Sequence, residues 1–466
     1  VGTAQYNLKK FITVPIFFMI IISVNASSVC NIRGMNYTGW DETAYSTDAS
    51  NQSLDNLKNI GCDWVAINFF YFQDYADSND ITLRYDEYSA EPNSVIDAIK
   101  YCHDIGLKVM LKPMVDCMSC IDRSYIIPSD GWFASYGAIM NEWAEIAEAY
   151  NVELFCIGCE YRQTVSWSDE WRQIISGVRD RYNGKLVYAA NQQIEEQNID
   201  WWDALDYIGV DPYYPLTSMT DPNEQQLQDA WQQWADDLER WLYGNWPDKQ
   251  IIFTEIGYQS YDGTNMAPWG IQVIDPNLTD FQEQVDCYKA LLDQCQDRPW
   301  WGGVFWWRWE TDPNGGLPGT DYYNNHTPQN KPAETLLNNY YIYCNGFTRG
   351  DMNRDSYVDI DDLRMLSMNF LSAKSSMDLS PYPSGDGIIN LEDFAVLAQN
   401  WHVGFQGDIN KDTYVNLEDV ILLANKWLWR VPGSCGSIPE DIFEDGYVNL
   451  KDFVVIAEKW LTANVR

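Results

Sequence analysis

The chain has 466 residues, 46% hydrophobic and 21% charged, with 68 acidic against 30 basic side chains and a formal net charge of -38. Such a length exceeds one ordinary hydrophobic core, so a large domain with smaller appended units is expected. The charge excludes a phosphate backbone as partner, because nucleic-acid binding rests on Lys and Arg, whereas neutral polysaccharide and divalent cations stay compatible. Twenty-two tryptophans and thirty tyrosines provide many flat faces of the kind on which sugar rings lie. Most of those rings are nevertheless expected to pack the core.

At the N-terminus Lys9 and Lys10 precede the apolar stretch FITVPIFFMIIIS, followed by the small-residue site Val24-Asn25-Ala26. This is the pattern of an export signal over residues 1–26, with cleavage after Ala26 and a secreted product that keeps no membrane anchor. The stretch spans 13 residues, short of the roughly 20 that a membrane-crossing helix needs. Cys30 lacks the residues of a lipidation site before it. Eleven cysteines are an odd number for an oxidising compartment, so at least one thiol stays unpaired within the chain. Cys117 and Cys120 form a CxxC that reads as a local disulfide or as two loop thiols, because His103, His326 and His402 are too scattered to complete a zinc site.

Residues 30–345 alternate short β-branched or aromatic runs with amphipathic segments, the texture of βα units around a parallel sheet. Eight strands are predicted, at 32–39, 63–69, 107–113, 152–158, 185–191, 205–213, 250–257 and 302–309. Helical stretches between them include NSVIDAIKYCHDIG, FASYGAIMNEWAEIAEAY, DEWRQIISGVRDRY and TDFQEQVDCYKALLDQC, with apolar residues three and four apart. The count and length fit an α/β chain with a (β/α)8 barrel, which typically takes about 250 residues. A doubly wound open sheet is the alternative. It lacks its usual support here, since RGMNYTGW after the first strand carries no GxGxxG.

Two strands end in glutamate: Glu160 closes VELFCIGCE and Glu255 lies in QIIFTEIG, 95 residues later. Barrel chemistry sits at the C-terminal ends of the strands, and strands four and seven stand nearly opposite in an eight-membered ring. Retaining glycoside hydrolysis needs such a pair, one carboxyl protonating the leaving oxygen and one carboxylate attacking the anomeric carbon. Glu160 is expected as acid/base and Glu255 as nucleophile; a structural pairing of Glu160 with Arg162 is the plainer alternative. Other strand ends carry groups able to hold a sugar: Asn36 and Trp40, Asn68, Lys112 and Asp116, Asn191, Asp211 and Tyr213. Tyr213 is expected to hydrogen-bond the nucleophile, and Trp306 or Trp307 to floor the subsite of cleavage.

The strings GLKVMLKPMVD, WFASY, VELFCIGCE, LVYAAN, WDALDYIGVDPYYPL, FTEIGYQS, GVFWWRWE and KPAETLL resemble those of glycoside hydrolase family 113. That resemblance implies a retaining endo-β-1,4-mannanase on a (β/α)8 barrel, needing no cofactor for catalysis, with Glu160 and Glu255 in the roles just given. Many members of the wider clan carry Asn immediately before the acid to bind the sugar 2-hydroxyl. Here that position is Cys159, so the contact is expected from Asn68 or Asn191. A glycosidase for another β-glycan, or a non-catalytic carbohydrate-binding or scaffold protein, are the competing readings.

After Asn345 the texture becomes repetitive. DMNRDSYVDIDDL (351–363) and DINKDTYVNLEDV (408–420) are near copies, each followed by a weaker one, SGDGIINLEDF (384–394) and IFEDGYVNLKDF (442–453). Every copy leads into an apolar helix. A twelve-residue calcium loop supplies oxygen from positions 1, 3, 5, 9 and 12 and a carbonyl from position 7. Asp351, Asn353, Asp355, Tyr357, Asp359 and Asp362 fill those slots in the first copy, and Asp408, Asn410, Asp412, Tyr414, Asn416 and Asp419 in the second. Asp386, Asn390 and Asp393, and Asp441, Asp445, Asn449 and Asp452, form weaker sets. The paired loop-helix units resemble dockerin modules, over 346–402 and 403–466. That resemblance implies Ca2+ binding and a cohesin-bearing scaffold as partner, beside a β-mannan-type polysaccharide as substrate of the barrel.

Overall fold

The computed structural model describes residues 31–192, 194–270, 278–344, 360–370 and 389–399. The expected export signal, the loop residues Asp351 to Asp359 and the whole set from Asp408 to Asp419 lie outside them.

Eight strands form one closed parallel barrel. They are β1 (Ile32–Thr38), β2 (Trp64–Gln73), β3 (Lys108–Cys117), β4 (Leu154–Cys159), β5 (Lys185–Asn191), β6 (Ile208–Asp211), β7 (Ile251–Ile256) and β8 (Trp301–Glu310). Pairing of β1 with β8, from Ile32 opposite Gly303 to Thr38 opposite Glu310, closes the ring. A doubly wound sheet would leave two edges, so that alternative is excluded. Both faces of every strand are covered, which is why runs such as WVAINFFYFQ in β2 are nearly continuous in apolar residues.

Side-chain alternation divides the core into two layers. Ala66, Phe70, Met110, Met114, Leu154, Cys156, Val187, Ile252 and Phe305 fill the barrel interior. Val65, Ile67, Val109, Leu111, Phe155, Ile157 and Phe253 point outward, against the surrounding helices. Those helices are α1 (Asp48–Asn59), α2 (Pro92–Asp104), α3 (Asp130–Ala149), α4 (Ser168–Arg179), α5 (Glu224–Asn245), α6 (Phe281–Cys295) and α7 (Pro332–Cys344). Their starts are set locally: Ser129 accepts from the Trp132 amide, Asp280 from that of Glu283, and Asn223 forms a capping box with Gln226.

Between β5 and β6 the described residues of the crossover form no α-helix. Two 3-10 turns, Glu195–Asn198 and Trp202–Ala204, take its place. Aromatic rings cover the gap, since Trp201 stacks on Trp171 of α4 with centroids 5.1 Å apart and donates its indole N–H to the Val165 carbonyl at 3.0 Å.

Strand β4 carries a second irregularity. Its register with β5 shifts between Cys156 and Cys159, so Cys159 points into the barrel. Such bulges re-aim side chains. Gly158 makes this one possible: a Cβ there would stand 2.7 Å from the Tyr188 ring and 2.9 Å from that of Trp171.

Beyond the barrel, α8 (Ile360–Met368) and α9 (Leu391–Gln399) are the helices that follow the first strong and the first weak repeat, and they pack against each other. Asp362 and Asp393 are buried near their starts. Asp393 Oδ2 accepts from the Asn390 amide at 2.7 Å, an arrangement typical of a first helical turn. No helix among the described residues is long and apolar enough to cross a membrane.

Candidate active site

Glu255 projects from β7 into the mouth of the barrel, only 5% exposed. The register of β7 against β8 shifts between Phe253 and Ile256, and Thr254 and Glu255 both contact groups of the barrel interior. Lys112 of β3, wholly buried, places Nζ 2.5 Å from Glu255 Oε1, and the Tyr213 hydroxyl donates to Oε2 at 3.3 Å. The Cys159 thiol lies 3.7 Å from Glu255 Oε1 and 3.7 Å from Asp211 Oδ2, while Thr254 Oγ1 donates to Asp211 Oδ1 at 2.6 Å.

Burial fixes the protonation of this cluster. It opposes the charge on Lys112, but Cys159, Glu255 and Asp211 outweigh it and hold the ammonium's pKa above its ordinary value. Burial and the Glu255 charge push Tyr213 well up, so its phenol keeps the proton that it donates. The Cys159 thiol is likewise pushed up, first by burial, and Asp211 is raised by burial and by Glu255 against the pull of Lys112.

Glu160 follows the bulge of β4 with φ 61°, in the left-handed region that non-glycine residues rarely occupy. Its amide donates to the Ala189 carbonyl at 2.8 Å, and its carboxylate, half-buried, accepts from Asn191 Nδ2 at 3.0 Å. Burial and then the neighbouring Glu255 charge raise its pKa from 4.5 to about 7, with Arg123 and Lys112 opposing. Arg162 is exposed; the cations acting on Glu160 are Arg123 and Lys112.

Sequence reasoning missed two groups behind Glu160. Glu195, fully buried, accepts from the Tyr188 hydroxyl at 2.5 Å and from the Asn191 amide at 2.9 Å. The same Tyr188 hydroxyl accepts from the Tyr161 amide at 2.9 Å. One carboxyl thereby fixes both Asn191, which holds Glu160, and the backbone just after Glu160. Burial lifts Glu195 to about 8, against its two hydrogen bonds. Arg123 is the other omission: its Nε donates to Asp116 Oδ1 at 2.9 Å and its Nη1 lies 3.4 Å from the Cys159 sulfur. It sits just past the disulfide Cys117–Cys120, which closes the loop after β3. The CxxC was the one signal pointing to that loop.

The remaining candidates divide. Asp116 faces the mouth but is engaged by Arg123 and by the Tyr88 hydroxyl at 2.7 Å. Asn36 and Asn68 are wholly buried: Asn68 Nδ2 donates to Asn36 Oδ1 at 3.2 Å, and Asn36 Nδ2 donates to the carbonyls of Thr254 and Phe305 at 3.0 Å each. They tie strands together rather than offering surface to a ligand, which leaves Asn191 as the amide beside Glu160. Trp40 packs on Phe70 and donates its indole N–H to Glu310 Oε2 at 2.8 Å. Trp307 is half-buried among the interior cluster, and the peptide joining it to Arg308 is cis. Trp306 corrects the expectation of a subsite floor. Its ring points outward, stacked on Tyr288 of α6 at 4.0 Å and bonded to the Tyr341 hydroxyl at 2.8 Å, because strand alternation sends neighbours 306 and 307 to opposite faces.

Cys159, Asp211 and Glu255 place one ligand-type atom each within 4.8 Å of one another, the one such trio among the described residues. The Lys112 ammonium already stands against Glu255 there.

The sequence pattern of Glycoside Hydrolase Family 113 matches residues 36–323. Among solved structures, the chain is similar to a GH113 β-1,4-mannanase complex, at 28% identity and TM-score 0.59 over 67% of this chain and 98% of that one. It is similar to the GH113 β-mannanase from Alicyclobacillus acidocaldarius in complex with ManMIm, at 25% identity and TM-score 0.60 over 67% and 98%. A further GH113 β-1,4-mannanase aligns at 29% identity and TM-score 0.58, over 66% and 98%. No curated protein matches the sequence.

Proposed function

We propose, from the premise that the chain belongs to glycoside hydrolase family 113 and is a glycoside hydrolase, that it is a retaining endo-β-1,4-mannanase acting on mannan or glucomannan. The observation that carries this reading is the contrast between its two strand-end glutamates. Glu255 is held in the barrel mouth by an ammonium on one oxygen and a phenol O–H on the other. Glu160 is half-buried with a pKa near 7, so much of it holds a proton at neutral pH. Two carboxyls in such opposed surroundings divide into acid and nucleophile.

In the first step the Glu160 O–H protonates the glycosidic oxygen as the bond to the anomeric carbon breaks. Glu255 attacks that carbon from the other face and forms a glycosyl ester. Glu160, now a carboxylate, then takes a proton from water, whose oxygen displaces Glu255 and restores the starting configuration. Asn191 occupies Glu160 Oε1 throughout, leaving the other oxygen for proton transfer. The mannan assignment rests on the β-mannanases to which the chain is similar, each covered over 98% of its length.

We place the enzyme outside the cell, exported by residues 1–26. The repeats after residue 345 serve as calcium-dependent modules that attach it to a cohesin-bearing scaffold. The buried Asp362 near the start of α8 fits the last slot of such a loop, where the ion would be held together with Asp351, Asn353, Asp355, the Tyr357 carbonyl and Asp359.

Reducing ends released from mannan, glucomannan and cellulose test the reading, with Glu160→Ala and Glu255→Gln as controls. Mannan and glucomannan should be cut by the wild type alone, and proton NMR of the first product should show the β-anomer. Cleavage of cellulose only would remove the mannan assignment, and an α-anomer first product would remove the double displacement. For the modules, a chelator should melt residues 346–466 and spare the barrel; an unchanged melting profile would count against calcium.

A further inference from the structure

We propose that Arg308 forms a sugar-binding subsite across the cleft from Glu160, donating hydrogen bonds to hydroxyls of the neutral hexose that precedes the cleaved unit on its non-reducing side. This rests on the glycosidase reading above.

Arg308 follows Trp307 near the C-terminal end of β8. Its guanidinium lies 4.6 Å from the centroid of the Trp40 ring and 5.7 Å from those of both Trp307 and Tyr322. Its Nε donates to Glu310 Oε1 at 2.5 Å, and the other Glu310 oxygen accepts the Trp40 indole N–H at 2.8 Å. The rings and this ion pair together fix the guanidinium in orientation. The side chain retains only 13% of its exposure.

A guanidinium has five N–H donors, and Glu310 takes the one on Nε. Among the described residues no acceptor meets Nη1 or Nη2, and neither nitrogen belongs to the buried groups without partners. Four donors therefore stand at the mouth, held rigidly and still in contact with solvent. The rings and Glu310 hold the fork in one orientation while its Nη ends stay open to water, so a ligand that displaces that water meets four pre-positioned donors.

Charge selects the class of ligand. Glu310 neutralises Arg308 at contact, and a net charge of -38 repels acidic polymers. Neutral hydroxyls, clustered on a hexose, match the remaining donors better than a uronate or a phosphate does. Position selects the subsite. Strand β8 stands four places from β4 in the eight-strand ring, diametrically across from it. The leaving sugar departs on the side of the acid that protonates its oxygen, so Arg308 faces the sugar units that stay with Glu255.

The test compares two substrates with the same dinitrophenyl leaving group, a β-mannoside and a β-1,4-mannobioside, in wild type, Arg308→Met and Arg308→Lys. The readout is the ratio of kcat/KM for the mannobioside to that for the mannoside, in which the fraction of correctly folded enzyme cancels. Arg308→Met should lower this ratio on the order of ten- to a hundredfold, the range of hydrogen bonds from a charged donor. Arg308→Lys should lower it nearly as far, because a lysine keeps the charge and loses the fork. An active wild type whose ratio is unmoved by either substitution would overturn the subsite alone. A wild type inert toward both glycosides would overturn the glycosidase reading and this inference with it.

Discussion

Replacing Glu160 by Gln should stabilise the barrel at alkaline pH while abolishing its activity. The carboxyl's pKa rises from 4.5 to about 7 in the folded chain, because burial and the Glu255 charge penalise its ionised form. A group with a raised folded pKa contributes stability below its unfolded pKa, and that contribution is lost as pH climbs through the folded value. At roughly 1.36 kcal/mol per unit, the shift corresponds to ~3 kcal/mol of destabilisation once Glu160 is ionised. Half-burial screens part of this, so about 1 to 3 kcal/mol is the expected range. Gln keeps the shape of the side chain and carries no charge. Urea unfolding followed by tryptophan fluorescence, at about pH 4 and about pH 8.5, should show near-identical wild type and Glu160→Gln at the lower pH. The variant should be the more stable at the higher. An equal gap at both pH values, or a wild type that gains on the variant as pH rises, would refute the electrostatic account of Glu160.

The same shift sets the pH profile: kcat/KM should fall on its alkaline limb near pH 7, as Glu160 loses its proton. Arg123→Met removes a cation that lowers this pKa, so the limb should move upward by about one pH unit; a downward or absent shift would contradict the assignment. Glu195→Ala should cut kcat by roughly tenfold or more with little change in KM, since it releases Asn191 and Tyr188 rather than substrate. Glu195→Gln should recover part of that loss, and a defect confined to KM would argue against a positioning role. Gly158→Ala drives a methyl group to 2.7 Å from the Tyr188 ring, which should destabilise the chain by about 1 to 3 kcal/mol in thermal or urea melts. An unaffected melt would mean that β4 relaxes freely.

The barrel was legible because parallel strands covered on both faces leave short, nearly unbroken apolar runs, and all eight runs are strands in the structure. The positions of Glu160 and Glu255 were legible for a related reason, as each stands where such a run stops. What escaped was anything set by a break in periodicity. The bulge at Gly158 and the irregular pairing of β7 decide which way Cys159 and Glu255 point, and neither leaves a mark on composition. Trp306 and Trp307 are identical in type and adjacent, so the choice between helix layer and cleft needed the strand's phase. Glu195 and Arg123 lie in connections, one within a crossover that has two 3-10 turns instead of a helix and the other past a short disulfide. A carboxylate or guanidinium in a loop reads as solvated until the fold buries it.

The left-handed backbone at residue 160 has a consequence for anyone improving this protein by selection. Glycine adopts φ 61° without the steric penalty that a glutamate carries. A library screened for thermal survival alone is therefore drawn toward glycine at that codon, and each such winner is a sturdier fold without the carboxyl proposed as proton donor. Screens on this scaffold have to reward turnover in the same round as robustness, because at this residue the two pull in opposite directions.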